Sequence, residues 1–177
     1  MSRRISLNAR LAHDAVGSKE VEVVLLHITH PETEQVIRLS TDPTDRISYS
    51  PLSYGTRSTW LGADAEDDEE AFLFILMSVL VPDDSEESPP ASQLVLEAVD
   101  NRIADVLRST TERATVNMAL VLASTPDTVE QEWLNFKLIS VEGNADSITL
   151  SISRDPVTAE PWPAGRMTRD RFPGLHP

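Results

Sequence analysis

The sequence predicts a mainly β domain, a β-rich α+β fold built as an antiparallel β-sandwich or barrel, with two short helices and an extended C-terminal arm. Two observations lead to this prediction. Several segments alternate apolar and polar residues with the period of a strand, most clearly 147–153, where Ile148, Leu150 and Ile152 share one side. Residues 161–177, in contrast, hold four prolines and two glycines and follow neither a helical nor a strand period.

The strand predictions follow from hydrophobic patterning. Residues 21–30 are apolar on both faces, which predicts a central strand, and 35–40 are its expected hairpin partner. Residues 71–81 are the longest apolar run, far too short to span a bilayer and typical of a buried strand. Further strands are expected at 47–50, 93–99, 115–123, 133–141 and 147–153, with a turn at 142–146.

Two segments have the pattern of short helices. In residues 5–16 an apolar stripe precedes Gly17, a natural stop. In residues 101–108, Asn101 is a suitable cap for a second helix. The stripes are Ile5, Ala9, Ala12 and Val16 in the first, and Ile103, Val106 and Leu107 in the second. The chain thus divides into an N-terminal helix (1–17), a β domain (18–155) and an arm (156–177).

Composition excludes several classes of protein. The chain has no cysteine, which excludes disulfides and thiolate metal sites. Arg3 and Arg4 are not followed by an apolar core and a small-residue cleavage site, so a signal peptide is not expected. No apolar run is long enough for a membrane-spanning segment.

The formal net charge of −14 is unevenly distributed. Arginines gather near both termini, whereas two acidic runs bracket the long apolar segment. A protein that is acidic in its middle does not offer a basic groove to nucleic acid. The acidic residues concerned are Asp64, Glu66, Asp67, Asp68, Glu69 and Glu70, followed by Asp83, Asp84, Glu86 and Glu87. They are interpreted either as solvated loops or as a negatively charged surface that ordered subunits present together.

The sequence predicts no catalytic residue, no cofactor and no metal site. His27 and His30 are three residues apart on a predicted strand, so they point to opposite faces and do not share an ion. The run 64–70 is rich in oxygen ligands but lacks the spacing of an EF-hand loop. No Gly-rich phosphate loop or nucleophile elbow is present, which argues against an enzyme.

The C-terminal arm carries large apolar side chains that disordered tails usually lack. We therefore expect an extended segment whose aromatic residues dock into pockets, with arginines at the rim. The candidate subunit-docking residues are Trp162, Arg166, Arg169, Arg171, Phe172 and Leu175. Docking onto the chain's own domain remains the alternative.

Three stretches, in this order, carry a resemblance: SQLVLEAVDNRIADVLRS at 92–109, VNMALVLASTPDTVEQE at 116–132, and the tail PWPAGRMTRDRFPGLHP. The chain resembles a family of small minor tail proteins (distal tail or tail-tip proteins) of long-tailed bacteriophages, catalogued as a domain of unknown function. The resemblance is strongest in the second half, and residues 55–81 depart from the family pattern.

The resemblance implies a virion structural protein with a tail-tube-like barrel or sandwich, assembled in the cytoplasm of the host bacterium. It implies a homo-oligomeric ring, a hexamer in preference to a trimer, that joins the tail tube to the tip or baseplate. The implied partners are the tail tube, tape-measure and tail-tip or hub proteins, with DNA only passing through the lumen. If copies form such a ring, the two acidic runs are candidates for its lumen, because a negative lining does not bind phosphate.

Three other functions stay open. The first alternative is a tail assembly factor or chaperone absent from the mature virion. The second is an adaptor in a cellular machine derived from phage, and the third, the least supported, is an enzyme such as a peptidoglycan hydrolase.

Overall fold

In the computed structural model the chain is mainly β, which confirms the predicted β-rich class. The structure describes residues 5–80, 91–97, 113–143 and 147–154. Outside these residues lie the second predicted helix, capped by Asn101, the acidic run 83–87, residues 144–146 of the turn predicted at 142–146, and the whole arm 156–177.

One helix and ten strands make up the described fold. Their bounds are α1 Leu7–Asp14, β1 Glu22–His30, β2 Thr33–Ser40, β3 Asp45–Tyr49, β4 Leu52–Thr56, β5 Phe72–Phe74, β6 Met77–Leu80, β7 Ala91–Glu97, β8 Thr115–Leu122, β9 Thr125–Gly143 and β10 Ser147–Ser153. All strands belong to one sheet in the order β3-β4-β5-β2-β1-β8-β9-β10-β7-β6.

The described sheet is antiparallel, as predicted, except for one parallel pair of neighbouring strands. β5 runs parallel to β2, with Leu39 beside Leu73 and Ser40 beside Phe74. The parallel pair arises from the connection between the strands. After β4 the chain crosses the sheet as a loop, and it then returns as β5, which runs beside β2 in the same direction as β2. Parallel neighbours require such a crossover, which local hydrophobic patterns do not reveal.

β5 and β6 are two halves of one extended segment, residues 72–80, and this segment closes the sheet into a barrel. The Ile75 N–H donates to the Ser40 carbonyl (3.0 Å), and the carbonyl of the next residue, Leu76, accepts from the Glu97 N–H (2.8 Å). Adjacent residues of an extended chain direct their hydrogen-bonding groups to opposite sides. The segment therefore lies between β2 and β7 and joins the two ends of the wall β2-β1-β8-β9-β10-β7.

The barrel interior is apolar. Alternate residues of each strand of the wall point inward, as Leu26 and Ile28 do in β1. The predicted inward positions Ile148, Leu150 and Ile152 of β10 are confirmed, each at most 4% exposed. The inner cluster comprises Leu26, Ile28, Ile37, Leu39, Ile75, Leu94, Leu96, Ala114, Val116, Met118, Trp133, Phe136, Leu138, Ile148, Leu150 and Ile152.

β1 and β8 are also apolar on the outer side of the barrel, which confirms the prediction of a central strand at 21–30. Val23 and Leu25 of β1 and Ala119 and Val121 of β8 are fully buried in a second cluster. A sheet face of this kind requires a cover, because exposed aliphatic area costs about 25 cal/mol per Å². The crossing loop after β4 supplies it.

Helix α1 forms where it was predicted, but only the middle of its predicted apolar stripe is covered. Only Ala9 is buried, whereas Ile5 and Val16 are exposed. The helix attaches through its N-terminus: the Ser6 hydroxyl accepts from the Ala9 N–H (3.1 Å), and the Ser6 N–H donates to the nearly buried Glu130 carboxylate (2.7 Å). Ala12 is half-buried, and the two exposed ends of the predicted stripe lie outside the helix itself.

Three boundaries also differ from prediction. The predicted strand 71–81 is divided at residues 75–76, where its hydrogen-bonding partner changes from β2 to β7. Between β2 and the first acidic run only one strand, at 47–50, was expected, but the structure has two, β3 and β4. The strand expected at 133–141 extends over 125–143, so that only Ala123 and Ser124 separate β8 from β9.

The β3–β4 hairpin is joined to the barrel by a close backbone approach at Gly55. A Cβ built on Gly55 would lie 2.0 Å from the Phe72 carbonyl oxygen. We predict that Gly55→Ala lowers the free energy of unfolding by roughly 1–3 kcal/mol, as overpacking does. Thermal denaturation measures the loss. Gly17→Ala is the control, because no atom lies within 4 Å of a Cβ there; equal losses in the two variants would contradict the prediction.

Candidate functional site

The most distinctive feature outside the barrel is the loop that crosses the sheet after β4. We call this loop, residues 57–71, the strap. It leaves the end of β4, passes over the outer faces of β1 and β8, and returns to β5. It contains the first acidic run, and a single 3-10 turn, Trp60–Gly62, lies near its start.

The beginning of the strap is held by the start of β9. The Ser58 hydroxyl donates to the Pro126 carbonyl (2.8 Å). The Asp127 carboxylate accepts from both the backbone N–H and the hydroxyl of Thr59 (2.7 and 3.0 Å). These bonds fix the first residues of the strap against β9.

Trp60 is the apolar anchor of the strap, only 6% exposed. Its ring lies edge-on to His27 at 6.3 Å and beside Phe72 at 5.9 Å between centroids. The next two residues, Leu61 (φ 55°) and Gly62 (φ 78°), adopt left-handed backbone conformations that turn the chain outward. The acidic residues follow directly after this turn.

Within the acidic run, carboxylates cap backbone amides. Asp64 accepts from the Glu66 N–H (2.9 Å), and Asp67 accepts from the Glu69 N–H (2.9 Å). Glu70 reaches back to accept from the Asp64 N–H (2.7 Å). Such hydrogen bonds from a side chain to a nearby backbone N–H stabilise the turns that Asp residues favour. They give the acidic run a defined shape.

Two arginines clamp the run to the body of the protein. Arg57 meets Asp68 at 2.6 Å, and Arg38 of β2 meets Glu70 at 3.5 Å. Both pairs are partly exposed, so each contributes at most about 1 kcal/mol.

The structure places the first acidic run on the outside of the barrel. Asp64, Glu66, Asp67, Asp68 and Glu69 are exposed, and Glu70 is half-buried. Their position relative to a ring lumen stays a prediction. The second run and the subunit-docking residues Trp162, Arg166, Arg169, Arg171, Phe172 and Leu175 lie outside the described residues.

A buried polar cluster that sequence reasoning missed lies beneath the strap. His27 and Arg38 are cross-strand neighbours on β1 and β2. Three buried atoms of this cluster, His27 Nδ1, Arg38 Nε and Trp60 Nε1, make no hydrogen bond among the described residues. Burial, and secondarily the Arg38 charge, lower the pKa of His27 below its ordinary value of 6.5. Only the pairing of residues 21–30 with 35–40 signalled that His27 and Arg38 would meet.

Within the described part of the chain, no three His, Asp or Glu side chains are arranged to hold a metal ion. His30 instead accepts a hydrogen bond from the Glu32 N–H through Nδ1 (3.0 Å). In the strap, the carboxylates of Asp64, Asp67 and Glu70 accept from backbone amides, and Asp68 and Glu70 face arginines.

No protein-family model matches the chain, and no curated protein matches it significantly. None of the helices in the described ranges has the length and apolar character needed to cross a membrane.

We predict that Asp127→Ala loosens the strap. The variant removes the acceptor of two Thr59 hydrogen bonds, and it should lower the free energy of unfolding by about 1 kcal/mol. Hydrogen–deuterium exchange should accelerate in 58–70 but not in β10. Asp127→Asn keeps an acceptor oxygen and should stay close to the wild type; equally fast exchange in both variants would argue against the role of Asp127.

We also predict that acidification destabilises the protein through His27. Its pKa is lower in the folded protein than in the unfolded chain, so the unfolded chain binds the proton more readily. The stability contributed by neutral His27 is present above about pH 6.5 and decreases as the pH falls below it. Urea titrations between about pH 7.5 and 5.5 should show a flatter dependence for His27→Gln. An unchanged slope would show that His27 is not the responsible group.

Proposed function

We propose that the chain is a structural minor tail protein at the distal end of a non-contractile phage tail. Copies of it form a ring, a hexamer in preference to a trimer, that joins the tail tube to the tip or baseplate and lets DNA pass. Support comes from the three sequence stretches that resemble such proteins.

The structural observation that carries the proposal is an ordered acidic loop on the outer side of a closed barrel. Five acidic side chains of the strap are exposed, and hydrogen bonds, two ion pairs and Trp60 fix the loop that bears them. A barrel of this type is also the architecture that the resemblance implies.

Repetition around a ring turns such a loop into a continuous negative surface. DNA carries a dense line of phosphates and binds wherever lysines and arginines release its counterions. A negative surface presents no such site and lets the polymer slide past. A fixed loop keeps these charges in one orientation in every copy, which supports a structural role in a passage.

Quantitative mass spectrometry of purified virions tests the proposal. We expect the chain in the particles, at a copy number that is a multiple of three, and most simply six per tail. A tail protein of known stoichiometry in the same particles provides the calibration.

Absence from purified virions, with presence in lysates of infected cells, would refute the structural role and favour a tail assembly factor. Presence at one copy per tail would refute the ring.

A further inference from the structure

Six large apolar side chains are exposed along the β3–β4 hairpin and the outer side of the closing segment 72–80. Their exposed fractions range from 38% for Phe74 to 80% for Tyr49. We call this surface the strip; it comprises Tyr49, Leu52, Tyr54, Phe74, Leu76 and Leu80.

The strand register places these side chains on one side of the sheet. Thr56 lies opposite Phe72, so two residues further along the two antiparallel strands Tyr54 lies opposite Phe74. Tyr49 pairs with Leu52 at the end of the hairpin. Because Ile75, Met77 and Val79 pack into the inner core, the alternate residues Leu76 and Leu80 face outward.

The composition of the strip is that of a protein interface. Single exposed apolar residues are ordinary, but a contiguous group marks a binding surface. Tyrosine and arginine dominate interface hot spots, and here Arg46 lies over the Tyr49 ring at 4.6 Å.

The strip begins where the strap ends. Trp60 and Ala63 of the strap pack with the buried Phe72, whereas Tyr54 and Phe74, two residues further on, are exposed. One edge of this apolar surface is therefore bordered by the exposed acids of the strap.

The C-terminal arm has the complementary chemistry. Its prolines suit an aromatic surface, since proline-rich segments bind along aromatic-lined grooves. Three arginines against one aspartate in 161–177 suit an acidic border. Residues 155–177, extended at roughly 3.1 Å each, reach about 70 Å from Arg154, far enough to leave the barrel.

We propose that the strip binds the C-terminal arm, residues 156–177, of a neighbouring copy of this chain, with Trp162 and Phe172 on the tyrosines and the arginines beside the strap. The proposal rests on the ring of the proposed function. Strip and arm are different surfaces of one chain, so their pairing is head-to-tail, the contact that generates a closed ring.

Photo-crosslinking of the full-length chain tests this inference. Benzoylphenylalanine replaces Phe172 in an equal mixture of ¹⁴N- and ¹⁵N-labelled protein, and mass spectrometry maps the crosslinked peptides. We expect crosslinks from position 172 to peptides 45–56 and 72–80, with light and heavy chains joined. Tyr54→Ser with Phe74→Ser should lower their yield about tenfold, the effect of losing a hot spot.

Leu7→Ser with Leu11→Ser is the matched control, because these helix residues are 71% and 61% exposed and lie off the strip. Its crosslink yield should equal that of the wild type. If Tyr54→Ser with Phe74→Ser does not fold by circular dichroism, Leu52→Ser with Leu76→Ser repeats the test at more exposed positions.

Three results would overturn the inference. Crosslinks that join only chains of the same label would place the arm on its own barrel. Crosslinks to surfaces other than the strip, or a crosslink yield that does not fall in the strip variants, would show that the arm does not bind the strip. Heavy–light crosslinks to the strip, in a protein absent from virions, would instead remove the tail function and leave the strip–arm contact standing.

Discussion

The closing segment 72–80 is the constraint on which the rest of the structure depends. Its hydrogen-bonding partner changes between two consecutive residues, from Ser40 on one side to Glu97 on the other. Without this change the wall from β2 to β7 would have two open edges, and the inner cluster would face water along both. The same segment supports β4 through Gly55, so the projecting hairpin and the beginning of the strap depend on it too.

The free energies that the different contacts of the strap contribute show which of them holds it in place. Trp60 is nearly buried, and a side chain of its size removes about 150–250 Å² from water, a contribution of roughly 4–6 kcal/mol as an upper bound. The two ion pairs contribute at most about 1 kcal/mol each. The strap is therefore held mainly by the apolar contacts with which it covers β1 and β8. The acidic run belongs to a loop that the protein needs in order to bury this apolar surface. Neutralising its charges would leave the loop in place.

Local patterns in the sequence predicted the strands whose two faces differ most, as in β10, where Ile148 and Leu150 alternate with polar residues. They also predicted β1 as a central strand, because both of its faces are apolar. They failed where a distant partner decides the structure. β4 was not predicted, because Pro51 and Gly55 interrupt its pattern; it pairs with the adjacent β3 and, on its other side, with the distant Phe72 and Leu73. The strap was interpreted as loop, and nothing local indicates that Trp60 returns to His27 or that Asp127 holds Thr59.

The acidic strap takes part in two proposals that compete for the same carboxylates. Asp68 and Glu70 already face arginines of their own chain, which leaves Asp64, Glu66, Asp67 and Glu69 as exposed charges without an ion pair among the described residues. If Arg166, Arg169 and Arg171 of a neighbouring arm lie beside them, most of this charge is neutralised and no longer repels phosphate. A strap that binds an arm is therefore part of a subunit interface, and a negative lumen would then have to draw on other acids, with the run 83–87 the nearest candidate in the sequence. If the strap instead lines the lumen, the arginines of the arm must pair with acidic residues elsewhere.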